Sequence, residues 1–131
     1  MKNKKGFTLV EILAVIVVLA LIMTIAVPST ISISNKLKTN MYCEKISMIE
    51  NQAKLYGEDR RDSLNTTGTS VTVKMLVDSN YLKKDQKTEP YIIDPRDKNS
   101  KDLYNMQFKI KLKNNRVAVE FNSDVNRTCE R

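Results

Sequence analysis

The residue whose chemistry most needs an explanation is a carboxylate near the start of a long apolar run. Glu11 lies within Phe7–Val27, a stretch of 21 residues with very few polar side chains. A carboxylate at the edge of a bilayer is costly unless it finds a partner, and such residues commonly have a function. No Lys or Arg occurs between Lys5 and Lys36, so this segment offers Glu11 no cationic side chain.

A backbone cut after Gly6 would create the missing cation. Phe7 would then carry a free amine, and Glu11 follows it by four residues, which is one turn of a helix. Opposite charges in an apolar bundle attract strongly and are costly apart. The spacing therefore predicts an amine–carboxylate pair, within one chain or between neighbours. The alternative is a single-pass anchor in which Glu11 is incidental.

The apolar run itself has the length of a membrane span. A helix of 21 residues reaches about 30 Å, the thickness of a bilayer's hydrocarbon core. Three lysines precede it, at positions 2, 4 and 5. The positive-inside bias then predicts a cytoplasmic N-terminus and an exported remainder. A cleaved secretory signal is the alternative, but Val27-Pro28-Ser29 is a poor cleavage site.

The two cysteines, Cys43 and Cys129, both fall in the predicted exported part, where disulfides persist. A bond between them would tie the end of the chain to the long helix and close a loop worth up to about 4 kcal/mol in the entropic account. Two unpaired thiols are the alternative. We predict the disulfide.

The composition argues against an enzyme. The chain has no His and no Trp, which removes the most frequent general base and the most common metal ligand. We therefore expect no catalytic residues and no cofactor. Asp94, Asp97, Asn99 and Asp102 supply oxygen ligands, but their spacing is not that of a complete calcium loop, so a solvated loop is the favoured interpretation.

Nucleic acid is a weak candidate partner. The formal net charge is +7, and removal of the three N-terminal lysines would leave +4. That excess could attract DNA. The cations are not interleaved with aromatic residues, so an ordinary basic surface is favoured.

Helical periodicity continues beyond the apolar run. Apolar residues recur at helical spacing in two groups: Ile33, Leu37 and Met41, and then Ile46, Ile49, Ala53 and Tyr56. They predict one long helix over Phe7–Tyr56 whose second half buries one face. Pro28 predicts a kink or local unwinding, and Gly57 is a predicted left-handed stop.

The sequence patterns of the rest of the chain predict a small α/β domain. Residues 57–70 are predicted to form a loop. Thr72 is a predicted N-cap of a short helix Val73–Ser79, with Val71 and Leu76 as its hydrophobic staple and Asn80 as its left-handed end. Residues 83–105 are predicted to be extended or looped.

Alternating residues predict a β-hairpin over Met106–Asn122. A two-residue turn at Asn114-Asn115 would pair Leu112 with Val117, Ile110 with Val119 and Phe108 with Phe121, all on one face. Lys109 would lie opposite Glu120 on the solvated face. The apolar face needs a cover, and the Ile46–Tyr56 stripe is the candidate.

The segment K-K-G-F-T-L-V-E-I-L resembles the class III leader of type IV pilins and the related pseudopilins. Gly6, Phe7, Glu11 and Pro28 all match that pattern. The stretch Leu76–Leu82 also resembles the short helix and "YL" step of many small members, with Asn80 where Gly is usual.

The resemblance implies a pilin fold of the α+β class, a long N-terminal helix packed on a small antiparallel sheet. It implies that a prepilin peptidase cuts after Gly6 and that Phe7 is N-methylated. It also implies that Glu11 neutralises the amine of an adjacent Phe7 during subunit docking. The implied domains are a leader 1–6, a membrane and filament-core helix 7–27, an amphipathic half 28–56 and a headgroup 57–131.

The resemblance further implies a precursor held in the cell membrane with its N-terminus in the cytoplasm, and later an extracellular filament of type IV pilus kind. Such filaments serve adhesion, motility or biofilm formation. The implied partners are identical subunits, minor pilins, an inner-membrane platform and the peptidase. A pseudopilin of a secretion or competence machine is the first alternative, and a DNA- or surface-binding module is the second.

Overall fold

The computed structural model describes residues 6–96 and 102–130, with the backbone alone at residues 26–29. The described residues form three α-helices, α1 (Leu9–Glu58), α2 (Val73–Asp78) and α3 (Ser123–Thr128), and two 3-10 turns at Arg61–Ser63 and Leu103–Asn105. Three strands are β1 (Thr69–Thr72), β2 (Gln107–Lys113) and β3 (Arg116–Glu120). The chain divides into two compact units, residues 1–36 and 37–131. A long helix followed by a small antiparallel sheet is the predicted α+β class.

The second part of α1 supplies one wall of the core of the second unit. Ile46, Ile49 and Ala53 are fully buried, and Tyr56 is 9% exposed. They form one cluster with buried residues of the sheet, such as Phe108 and Ile110. The predicted stripe therefore covers the sheet. The helix extends from Leu9 to Glu58, so both predicted bounds lie two residues too early.

The hairpin has the predicted register. Leu112 pairs with Val117 and Ile110 with Val119, with Asn114 and Asn115 at the turn. Both asparagines have positive φ, at 50° and 60°, which their short polar side chains tolerate. The rings of Phe108 and Phe121 lie 5.5 Å apart between centroids. The apolar pairs therefore share one face, as predicted.

The ion pair on the opposite face differs from the prediction. Lys109 is the register partner of Glu120, but the ammonium of Lys111 binds the carboxylate, at 2.7 Å. Diagonal neighbours on a sheet lie within reach of a side chain as long as Lys. Register alone therefore predicted the strand pairing correctly and the ionic partner wrongly.

A third strand lies where the sequence predicted the end of a loop. β1 pairs antiparallel with β2, with Val71 opposite Phe108 and Ser70 opposite Lys109. Of its four residues only Val71 is buried. Alternation over so short a segment carries almost no periodic signal, which explains why the loop prediction for residues 69 and 70 was wrong.

The short helix α2 begins and ends with the predicted caps. The Thr72 hydroxyl accepts a hydrogen bond from the Met75 N–H at 3.3 Å. Val71 and Leu76 are both buried, as a hydrophobic staple requires. Asn80 has a φ of 62°, so it takes the left-handed position without Gly. The helix ends at Asp78, one residue before the predicted end.

Gly57 does not have its predicted role. It lies inside α1 rather than beyond its end. A Cβ placed there would lie 2.6 Å from Cγ1 of Val117 and 2.9 Å from Cγ2 of Ile110. Both neighbours are β-branched and restricted at χ1. Glycine is required because the helix backbone packs directly against the sheet, and not because the helix needs a cap.

Gly57→Ala is therefore expected to lower the free energy of unfolding by about 1 to 2 kcal/mol. Overpacking costs about 1 to 3 kcal/mol, and the helix propensity of Ala offsets up to about 1 kcal/mol of it. Denaturant unfolding of the detergent-solubilised chain measures the change. Ser47→Ala, at an exposed position of α1, is the propensity control. Val117→Ala should rescue Gly57→Ala in a double-mutant cycle, and additivity of the two changes would contradict the packing explanation.

Candidate functional site

The N-terminus of α1 is closed by a capping box. The Thr8 N–H donates to Oε2 of Glu11 at 2.9 Å, and the Glu11 N–H donates to the Thr8 hydroxyl at 3.3 Å. The Ile12 N–H donates to the Thr8 carbonyl at 3.2 Å, the first bond of the helix. The Thr-x-x-Glu pattern at residues 8–11 is the sequence signal for this motif, and our sequence analysis missed it. Glu11 thus has a structural role before any cut.

The predicted cleavage point lies directly before this box. Gly6 and Phe7 are exposed, Phe7 by 85% of its surface. A Cβ at Gly6 would meet no atom within 4 Å, so the backbone there is sterically open. The predicted leader, residues 1–6, falls outside the described residues except for Gly6.

Glu11 keeps capacity for a further partner. Within the described residues, no cationic side chain lies within salt-bridge distance of its carboxylate. Thr8 occupies one carboxylate oxygen, and a carboxylate has about four lone-pair sites. A free amine at Phe7 would be adjacent to Thr8 in sequence. The geometry leaves the predicted amine–carboxylate pair possible, and its formation stays a prediction.

The described residues of the first unit form an apolar helix with exposed side chains. Large apolar side chains from Leu9 to Ile25 are each about half or more exposed. In the part of the chain that the structure describes, α1 is the one helix long and apolar enough to cross a membrane. Signal sequences are also long enough and apolar enough, so the helix alone does not distinguish a membrane anchor from a signal sequence. The residues that precede the helix have to decide between the two.

Pro28 lies within α1, and helix is assigned continuously through it. The local unwinding predicted there is therefore not seen in the backbone. A ring at this position still removes one helix hydrogen bond, and a bend at Pro28 stays a prediction.

Cys43 and Cys129 form a disulfide with a Cα–Cα distance of 5.5 Å. Cys129 is positioned by α3, a helix that the sequence analysis missed. The side chain of Asn122 caps α3 by accepting the Val125 N–H at 3.0 Å, and Val125 packs in the core. A six-residue helix with one buried side chain gives almost no periodic signal.

The two described carboxylates of the weak calcium candidate are already engaged. Asp94 is 1% exposed, and its Oδ2 binds the Arg96 guanidinium at 2.8 Å. Asp102 accepts three backbone N–H bonds, at 2.8 to 2.9 Å. Burial alone would raise the pKa of Asp102, but these N–H groups outweigh it and the pKa lies below its usual value. Asp97 and Asn99 lie outside the described residues.

Both carboxylates therefore act as structural ties of the loop before β2. Within the described residues no group of three or more metal-ligating acids, cysteines or histidines occurs.

A capped apolar helix long enough to cross a membrane, followed by a small disulfide-bonded domain, is the layout of a membrane-anchored protein. Comparison with known families narrows this class. Residues 1–27 match the family described as the prokaryotic N-terminal methylation motif. This is the class III leader of type IV pilins and pseudopilins, so the motif indicates a type IV pilin or pseudopilin-like precursor. It implies processing by a prepilin peptidase and assembly with a pilus or pseudopilus machinery.

No curated protein and no solved structure matches the chain. The described headgroup therefore has to be interpreted from its own contacts.

Proposed function

We propose that this chain is a structural subunit of an extracellular filament of the type IV pilus kind and catalyses no reaction of its own. The observation that carries the proposal is the methylation motif at residues 1–27, which includes the exposed apolar first part of α1. Head-to-tail contacts between identical subunits that do not close into a ring build open filaments. The apolar helices would form the filament core, and the headgroups would lie outside.

The apolar helix supports assembly because its described large apolar side chains, from Leu9 to Ile25, are about half or more exposed. Large apolar residues exposed along a helix must be covered by lipid or by other helices. Before assembly the membrane covers them, and in a filament neighbouring copies would do so. Identical subunits, minor pilins and an inner-membrane platform are the partners that this route requires.

The second candidate is a pseudopilin of a secretion or competence machine. It uses the same leader and helix, so the motif supports it equally. Electron microscopy of cells separates the two functions. Long surface filaments that an antibody against the headgroup labels would support the pilus, and their absence together with loss of secretion or DNA uptake in a deletion strain would support the pseudopilin.

Processing after Gly6 is the first test of either function. We expect the mature chain to begin at Phe7, because that cut supplies the amine that Glu11 lacks. Mass spectrometry of material sheared from cells should give an N-terminal peptide that starts at Phe7, 14 Da heavier if the amine is methylated, as the motif implies (about one CH₂ group). Filaments that retain residues 1–6 would refute the proposal.

Gly6→Val, which adds a branched side chain at the open position, should block the cut and leave the precursor in the membrane.

A further inference from the structure

The outward face of the sheet carries a row of cations. Lys109, Lys111 and Lys113 alternate along β2, and alternate residues of a strand share one face. The register places Arg116 opposite Lys113 and Glu120 opposite Lys109. Four cations and one carboxylate therefore lie on one side of the sheet, a net charge of +3. The mature chain as a whole would carry +4.

Salt bridges leave this face positively charged. In the described part of the chain, Lys111 is the member of the row that forms a salt bridge, with Glu120 at 2.7 Å. Four other acidic side chains bind cations elsewhere, in the pairs Lys45–Asp85, Lys54–Glu50, Arg61–Glu58 and Arg96–Asp94. Each of those four pairs is neutral, whereas within the described residues Lys109, Lys113 and Arg116 form no salt bridge.

The pKa of Glu120 is lowered by its cationic neighbours on this face. A hydrogen bond from Lys111, together with its charge, lowers the pKa of Glu120, and the charges of Lys109 and Lys113 lower it further. Three lysines thus act on a single carboxylate.

The other side chains of this face decide which polyanion fits. Ser70 and Thr72 of β1 and Gln107 of β2 share the face by register, and Ala118 is its one apolar member on β3. Among the described residues of the three strands, no aromatic or large aliphatic side chain points this way. The face therefore lacks the apolar core of a protein interface and the aromatic platforms on which single-stranded bases stack.

We propose that this face binds the phosphate backbone of double-stranded DNA without sequence preference. The lysines are spaced about 6.7 Å apart along the strand, and their long side chains lie on the outward face of the sheet. Hydroxyl and amide groups beside them are the usual additional donors to phosphate and sugar. This activity goes beyond the proposed filament role and does not depend on it.

The test is the salt dependence of binding. The full chain in neutral detergent is titrated with a short duplex of mixed sequence between about 50 and 200 mM salt. Three or four phosphate contacts should give a slope of about −3 to −4 for log K against log salt, since each contact contributes about −0.9. Lys109→Gln with Lys113→Gln should reduce the slope by about 2. Glu120→Gln should tighten binding, because it removes the one repulsive charge and frees Lys111.

A matched control distinguishes the face from net charge. Lys83→Gln with Lys87→Gln removes two exposed lysines of the same unit that lie outside the three strands and should leave the slope within about 0.5 of the original. Equal losses from both double variants would overturn the proposal. So would a slope near zero, or binding to vesicles of anionic lipid but not to duplex. Unfolding midpoints of both double variants verify that surface substitution has not disturbed the fold.

Discussion

Glu11→Gln is expected to reduce incorporation of the subunit into filaments by about a hundredfold or more. Membrane insertion and cleavage after Gly6 should both be unchanged. Gln at the third helical position can still complete a capping box with Thr8, so the helix start is retained and only the charge is lost. An amine left unpaired among apolar helices costs about 3 to 5 kcal/mol. Each 1.4 kcal/mol is about a tenfold change in a binding constant.

Thr8→Ala is the matched control for the cap. It removes the hydroxyl that accepts the Glu11 N–H and keeps the carboxylate. Loss of an N-cap costs about 1 kcal/mol, so filament yield should fall much less than with Glu11→Gln. The measurement is the ratio of sheared filament to membrane-held subunit in cells that carry the variant as sole copy. A normal ratio for Glu11→Gln would refute the docking role and leave Glu11 as a helix cap.

Removal of the disulfide has the second largest expected effect. Cys43→Ser with Cys129→Ser should lower the free energy of unfolding of the second unit by about 4 kcal/mol, because the bond restricts the unfolded chain over a sequence separation of 86. The free energy of unfolding of a native protein is about 5 to 15 kcal/mol in total, so the variant should be marginally stable. Denaturant unfolding of the solubilised chain measures the loss.

Wild-type protein treated with dithiothreitol is the control for this variant. Its unfolding midpoint should fall to that of the double serine variant, since both lack the same bond. Alkylation of both thiols in non-reduced filaments, or a midpoint that reduction does not change, would contradict the prediction.

The hairpin could be predicted because its information is local. Seven residues of β2 and five of β3 alternate around one asparagine turn, and the buried face fixes the register. The helix stripe Ile46–Tyr56 was predictable for the same reason. β1 and α3 have four and six residues, and each exists because tertiary contacts hold it. Val71 packs on Phe108, and Val125 enters the core beside the disulfide.

Gly57 shows a different limit of sequence reasoning. A glycine at the end of a periodic helix predicts a left-handed stop, and the same residue also permits close approach of two backbones. Which of these two roles the glycine has depends on the atoms packed against it in the folded protein, and the local sequence does not contain that information. At the candidate site, residue types and spacing predicted roles for Gly6, Phe7 and Glu11, and those roles stay predictions. The capping box between Thr8 and Glu11 was also visible in the sequence as a Thr-x-x-Glu pattern, but the search for a cationic partner of Glu11 passed over it.

The bond between Cys43 and Cys129 gives the polypeptide the topology of a lariat, a linear helix attached to a covalent ring. The exposed stretches around residues 58–63 and 83–89 lie inside that ring, and exposed loops are where proteases cut first. A single cut there opens the ring without releasing a fragment, because both new ends remain connected through sulfur. A headgroup nicked on the cell surface would therefore stay attached to its helix until the disulfide is reduced.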